Sequence, residues 1–167
     1  MNYDPLFHIV LLEPEIPPNT GNIGRTCVAT GVKLWLVKPL GFSVADKDLK
    51  RAGMDYWKHL EWEVVDNWQH LQQRLPDTNF WYFTKTSKKP YTAVSYQPGD
   101  ALVFGAESKG LPKDLMSENQ DNLLSVPMRT QVRSLNLSTT AGIVAYEAVR
   151  QITLAGEASL PIGESPC

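Results

Sequence analysis

Cysteine is nearly missing from this chain of 167 residues, with Cys27 inside an apolar periodic stretch and Cys167 at the last position. Neither belongs to a CxxC pair, which argues against a structural zinc site and against a disulfide framework. Histidine is almost as scarce. His8, His59 and His70 are dispersed, with no HExxH and no Ser/His/Asp spacing, so each is expected to pack or to face solvent. An excess of one charge is lacking too. Sixteen Lys and Arg stand against eighteen Asp and Glu, a formal charge of −2, and no bulk basic field announces a nucleic-acid partner. No apolar run approaches the ~20 residues of a membrane span. The start Met1-Asn2-Tyr3-Asp4-Pro5 lacks the basic and apolar regions of a secretion signal. A cytoplasmic protein with no membrane partner is the expectation.

What is present suffices for a packed core: 43% of residues are hydrophobic and 10% aromatic, in a length that fits one domain. Short apolar runs punctuate the chain. Phe7 to Leu12, Lys33 to Val37, Trp62 to Val65, Phe80 to Thr84, Ala101 to Ala106 and Leu123 to Val126 read as six strands. Between them, helical patterns begin at Gly21 and stop at Gly31, occupy Asp46 to Ala52 before Gly53, and follow an Asn67 cap over Trp68 to Leu75. The prolines of Glu13-Pro14-Glu15-Ile16-Pro17-Pro18 argue against helix there. A last helix is expected from Ser138 to Ile152, and Thr153 to Cys167 reads as a frayed tail, so that the domain spans residues 1–152. Strands alternating with helices predict an α/β fold with a mostly parallel sheet and helices on both faces.

Ligands of open α/β sheets bind beyond the carboxyl ends of the strands, which directs attention to the loops there. Gly105-Ala106-Glu107-Ser108-Lys109-Gly110 is glycine-bounded, but Leu111-Pro112 follow where a phosphate loop needs Lys and Ser or Thr. Gly21-Asn22-Ile23-Gly24 has the wrong spacing for a dinucleotide fingerprint. Val126 to Ser138 mixes apolar and small polar residues and could wall an adenine ring with Val126, Met128 and Leu135, or could simply be a helix entry with Ser138 as cap. In Asn19-Thr20-Gly21-Asn22-Ile23-Gly24-Arg25 a guanidinium stands one turn into an otherwise apolar or small helix. It suits a phosphate, although turn chemistry with Asn19 or Thr20 as cap explains the segment equally.

Taken together, Asn19 to Arg25, Leu102-Val103-Phe104-Gly105-Ala106-Glu107-Ser108-Lys109-Gly110-Leu111-Pro112, and Val126-Pro127-Met128 with Ser134-Leu135-Asn136-Leu137-Ser138 resemble, in order, the three motifs of the SpoU branch of the SPOUT RNA 2′-O-methyltransferases. The resemblance covers roughly residues 6 to 151. Glu13 to Pro18 and Arg51-Ala52-Gly53-Met54-Asp55-Tyr56 are similar to the subfamily that methylates the wobble nucleotide of certain tRNAs, a cytidine or a modified uridine. The resemblance implies a C-terminal deep trefoil knot, S-adenosyl-L-methionine as cofactor with no metal, a tRNA substrate and a homodimer. Ala141, Ala145 and Ala148, beside Gly142, form a small-residue face that would suit either helix contact across a dimer or packing within the chain. By position Phe83, Thr84, Gly105, Glu107, Val126, Met128, Ser134 and Leu135 match the family's cofactor-contacting loops. Ala106 departs from the proline common among relatives. No extension for RNA binding is expected beyond the catalytic domain.

The resemblance also implies that Arg25 serves the reacting ribose. A guanidinium, with its pKa above ~12, is a poor base, which favours a role on the nearby phosphate and on developing alkoxide charge. Asn19 and Asn136 would orient the arginine or the ribose, and Tyr146 is a further catalytic candidate. Arg129, Arg133 and the cluster Lys85, Lys88 and Lys89 are candidates for RNA contact or for solvated surface. Two other readings stand beside this one: a non-catalytic RNA-binding module on the same fold, and a guanosine 2′-O-methyltransferase.

Overall fold

The computed structural model describes residues 4–45, 47 and 56–160. Six strands form one all-parallel sheet: β1 (His8–Leu12), β2 (Lys33–Val37), β3 (Trp62–Val65), β4 (Phe80–Phe83), β5 (Ala101–Phe104) and β6 (Leu123–Leu124), in the order β3-β2-β1-β5-β4-β6. Every residue of β1 and β5 is buried, as expected for strands covered on both faces. The side-chain alternation divides the core in two. Ile9 and Leu11 point with Leu34, Leu36, Leu102 and Phe104 into one layer; Val10 and Leu12 point with Trp35, Val37 and Val103 into the other. The first layer is roofed by α1 (Pro17–Thr30) and α4 (Leu137–Leu154), the second by α2 (Trp68–Arg74) and α3 (Lys113–Glu118).

Several boundaries differ from expectation for identifiable reasons. Helix α1 begins at Pro17, not Gly21. Pro17 and Pro18 occupy the first turn, where a missing N–H costs nothing, so the prolines start the helix rather than exclude it. Its end at Gly31, in the left-handed conformation with φ 68°, is as expected. Asn67 caps α2, accepting from the His70 N–H at 2.8 Å. Helix α4 is capped by Asn136, not Ser138: the Asn136 Oδ1 accepts from the Ser138 and Thr139 N–H groups at 2.8 and 3.4 Å. It runs to Leu154, past the expected end at Ile152, and Ala158 and Leu160 beyond it are partly buried against the core. Strand β5 stops at Phe104 and β6 at Leu124, each short of its expected end. Helix α3 has no counterpart in the sequence reading. The helix expected over Asp46 to Ala52 lies outside the described residues, apart from Lys47.

The small-residue face of α4 is used inside the chain. Ala141, Ala145 and Ala148 are buried in the layer that α4 shares with Ile23 and Cys27 of α1, and the lack of bulk lets the two helices run close together. His8 is buried as well. Its Nδ1 accepts from the Trp35 indole N–H at 3.2 Å, and burial, reinforced by Lys33, lowers its pKa to about 4. Burial pushes the Cys27 thiol up, leaving a protonated, packing cysteine at neutral pH. No described helix is long and apolar enough to cross a membrane.

Candidate active site

The carboxyl ends of β4, β5 and β6 open onto a cleft of about 450 Å³, within the roughly 300–1,000 Å³ usual for small-molecule sites. Its floor is the stacked pair Phe83 and Phe104, with ring centroids 4.8 Å apart. One wall is Thr84 and the start of the following loop, the second the turn 105–110, and the third the segment 126–136 ahead of α4; Ile16 and Asn19 of the first loop and helix close the end. The cleft thus brings together Phe83, Thr84, Gly105, Glu107, Val126, Met128, Ser134 and Leu135, together with Asn19 and Asn136.

The turn after β5 is set by glycine at two points. A Cβ on Gly105 would lie 2.1 Å from the Gly110 carbonyl carbon, so only hydrogen fits there. Gly110 takes φ 68°, and its N–H donates to the Ala106 carbonyl at 2.8 Å, closing the loop on itself. Ala106 is buried and holds this closure through its own carbonyl.

Glu107 lines the cleft and also ties its edges to the fold. Its carboxylate accepts from the backbone N–H of Glu15 at 2.8 Å and of Ile16 at 3.1 Å, and from the Asn19 amide at 3.2 Å. It therefore caps α1, a helix that lacks a cap of its own, from more than ninety residues away. The favour is returned: Glu15 accepts from the Ser108 hydroxyl at 2.6 Å and its N–H at 3.1 Å, and Lys109 pairs with Glu13 at 2.6 Å. Asn136 extends the chain of bonds. Its Nδ2 donates to the Asn19 Oδ1 at 3.0 Å while its Oδ1 caps α4. One line of hydrogen bonds, α4 to Asn136 to Asn19 to Glu107 to the N-terminus of α1, ties the three loops together.

Two expected catalytic residues stand apart. Arg25, six residues beyond Asn19 on α1, is exposed and outside the cleft lining, with its guanidinium carbon 4.7 Å from the Tyr56 ring centroid. Tyr146, 54% exposed on α4, is also outside it. Asn19 bonds to Glu107 and Asn136 bonds to Asn19, rather than either to the arginine. Arg129 and Arg133 are exposed on the loop beside the cleft. Of the lysine cluster, Lys85 lines the cleft, whereas Lys89 donates to the Asp121 carbonyl at 3.2 Å. Sequence reasoning missed Ile16, Lys85, Thr86, Met116 and Thr140 as lining residues. Only Lys85 carried a signal, its place directly after Thr84.

These features define an α/β protein with a nucleoside-sized site beyond the ends of a parallel sheet. The model of the SpoU rRNA Methylase family matches residues 6–146, and the chain belongs to that family. The tRNA (cytidine(34)-2'-O)-methyltransferase of Saccharophagus degradans is 46% identical over 156 residues, 90% of this chain and 99% of that protein. The protein of the same name from Methylovorus glucosotrophus is 44% identical over 152 residues, again 90% and 99%. A solved structure described as giving insight into the 2-OH methylation of C/U34 on tRNA matches with TM-score 0.84 at 40% identity, over 88% of this chain and 96% of that one. The SpoU methyltransferase AviRb from Streptomyces viridochromogenes in complex with AdoMet shares the fold, with TM-score 0.81 at 22% identity over 92% of this chain and 63% of that one.

Proposed function

We propose that this chain is a tRNA 2′-O-ribose methyltransferase acting on the wobble nucleotide, cytidine or modified uridine, with S-adenosylmethionine as methyl donor. The observation that carries the reading is the cleft, in which three segments distant in sequence meet at the strand ends in the order of the family's motifs. The name shared by relatives of 44–46% identity supports the choice of nucleotide. The residues suit the cofactor: Val126, Met128 and Leu135 offer apolar walls to a purine, and the compact turn 105–110 lines the cleft with them.

When bound, the cofactor supplies a methyl on sulfonium electrophilic enough for a ribose oxygen to attack. The chain's task is then to align that hydroxyl and ease the loss of its proton. Arg25 holds the adjoining phosphate and stabilises alkoxide charge; the Asn19, Asn136 and Glu107 chain keeps the loops in register. Because Arg25 and Tyr146 are exposed outside their own cleft, the reading includes a homodimer in which they complete the cleft of the second copy. It also includes the C-terminal trefoil knot. In its support, the loop 84–99 bonds both to the segment after β6, through Tyr91 with Ser125 and Ser125 with Lys89, and to α4, through Tyr96 with Gln151.

Incubation of the purified protein with tritiated S-adenosylmethionine and total tRNA, followed by mapping of the label, tests the reading. Label on the 2′-oxygen of nucleotide 34 is expected. Label on a guanosine elsewhere would reassign the substrate, and no label in any RNA would leave an RNA-binding module.

A further inference from the structure

We propose that Tyr56 is a positioning residue for Arg25, a role that rests on the reading of Arg25 given above. Arginine is a long, flexible side chain, and an exposed one must be held if it is to meet a phosphate and a reacting oxygen at once. A carboxylate could hold it, but would occupy the N–H groups and neutralise the charge that the reaction needs. An aromatic face does neither: it attracts the cation through the ring quadrupole and leaves the five in-plane N–H donors available. The Tyr56 ring, 41% exposed and with the guanidinium carbon 4.7 Å from its centroid, supplies such a face.

The platform is itself fixed to α1. Tyr56 opens a 3₁₀ turn over Trp57–His59, its carbonyl accepting from the His59 N–H at 2.8 Å. Trp57, next in the chain, is seated on Gly24, the neighbour of Arg25: a Cβ at Gly24 would come within 3.1 Å of the Trp57 ring. Trp62 of β3 packs against the same indole, with ring centroids 5.1 Å apart. The ring and the arginine it holds are therefore registered to each other through one helix-to-turn contact, while the ring face stays at the surface.

Steady-state methyl transfer to tRNA by the full chain, with cofactor binding measured by calorimetry, tests the proposal. Tyr56→Leu should lower kcat by ~2- to 5-fold, the size of one solvent-exposed cation–π contact, and leave cofactor affinity within about 1.5-fold. Tyr56→Phe, which keeps the face and loses the hydroxyl, should restore most of that loss. Equal losses in the Phe and Leu variants, an unchanged kcat in Tyr56→Leu, or a parallel fall in cofactor affinity would each overturn the role. Full transfer by Arg25→Ala would instead remove the reading beneath it, whatever the Tyr56 variants do.

Discussion

Gly105 has the least freedom of any residue in the site. Its Cβ position is already occupied by the Gly110–Leu111 backbone at 2.1–2.4 Å, and backbone does not yield as a side-chain tip does. Gly105→Ala should force the turn open and lower cofactor affinity at least tenfold by calorimetry, since the cleft wall is this turn. Arg25 lies at the opposite extreme, exposed and outside the cleft. Arg25→Ala should keep cofactor affinity and lose methyl transfer. Equal loss of both would place the arginine in the cofactor site. At this scale the sequence was informative where backbone dictates the residue, as at Gly105 and Gly31. It was silent on Tyr56, because a cation–π contact between residues thirty-one positions apart leaves no trace in local pattern.

The elements show where local reading stops. The strands were readable because burial on both faces demands unbroken apolar runs, and β1 and β5 have them. The start of α1 was not, because its cap is supplied by Glu107 across the fold. Long-range capping makes a prediction about loops rather than about helix propensity. Glu107→Gln keeps one acceptor and turns an amide toward donors, so about 1–3 kcal/mol of stability should be lost in urea titrations, together with cofactor affinity. Lys109→Ala removes only a solvent-exposed pair, the lysine side chain being 65% exposed, and should cost far less than Glu107→Gln in the same titrations. Similar effects of the two substitutions would mean that the clasp acts through charge alone and not as the cap of α1. The small-residue face of α4 carries the same lesson, since Ala141, Ala145 and Ala148 read equally as a dimer face, and only the packing against α1 assigns them within the chain.

For the molecule as a whole, the order of the strands was beyond local pattern, since alternation of elements predicts a parallel sheet but not which strands are neighbours. The placement of β1 at the centre explains a property of the entire fold. His8 starts that strand, buried as a neutral acceptor for the Trp35 N–H. Its folded pKa of about 4 lies below the 6.5 of an unfolded histidine. At pH above 6.5 neither state holds the proton and the stability is full. Between 6.5 and 4 the unfolded chain binds a proton that the folded chain refuses, so stability falls with acid, by up to about 3 kcal/mol in total, and the contribution is flat again below 4. Glu147, held below the usual carboxylate range by Arg150, adds loss in the same direction at lower pH. Urea unfolding at several pH values from 7.5 to 4 should show this slope. His8→Gln, whose amide oxygen can still accept from Trp35, should remove most of it between 6.5 and 4. A slope unchanged in that variant would place the acid sensitivity in the carboxylates instead.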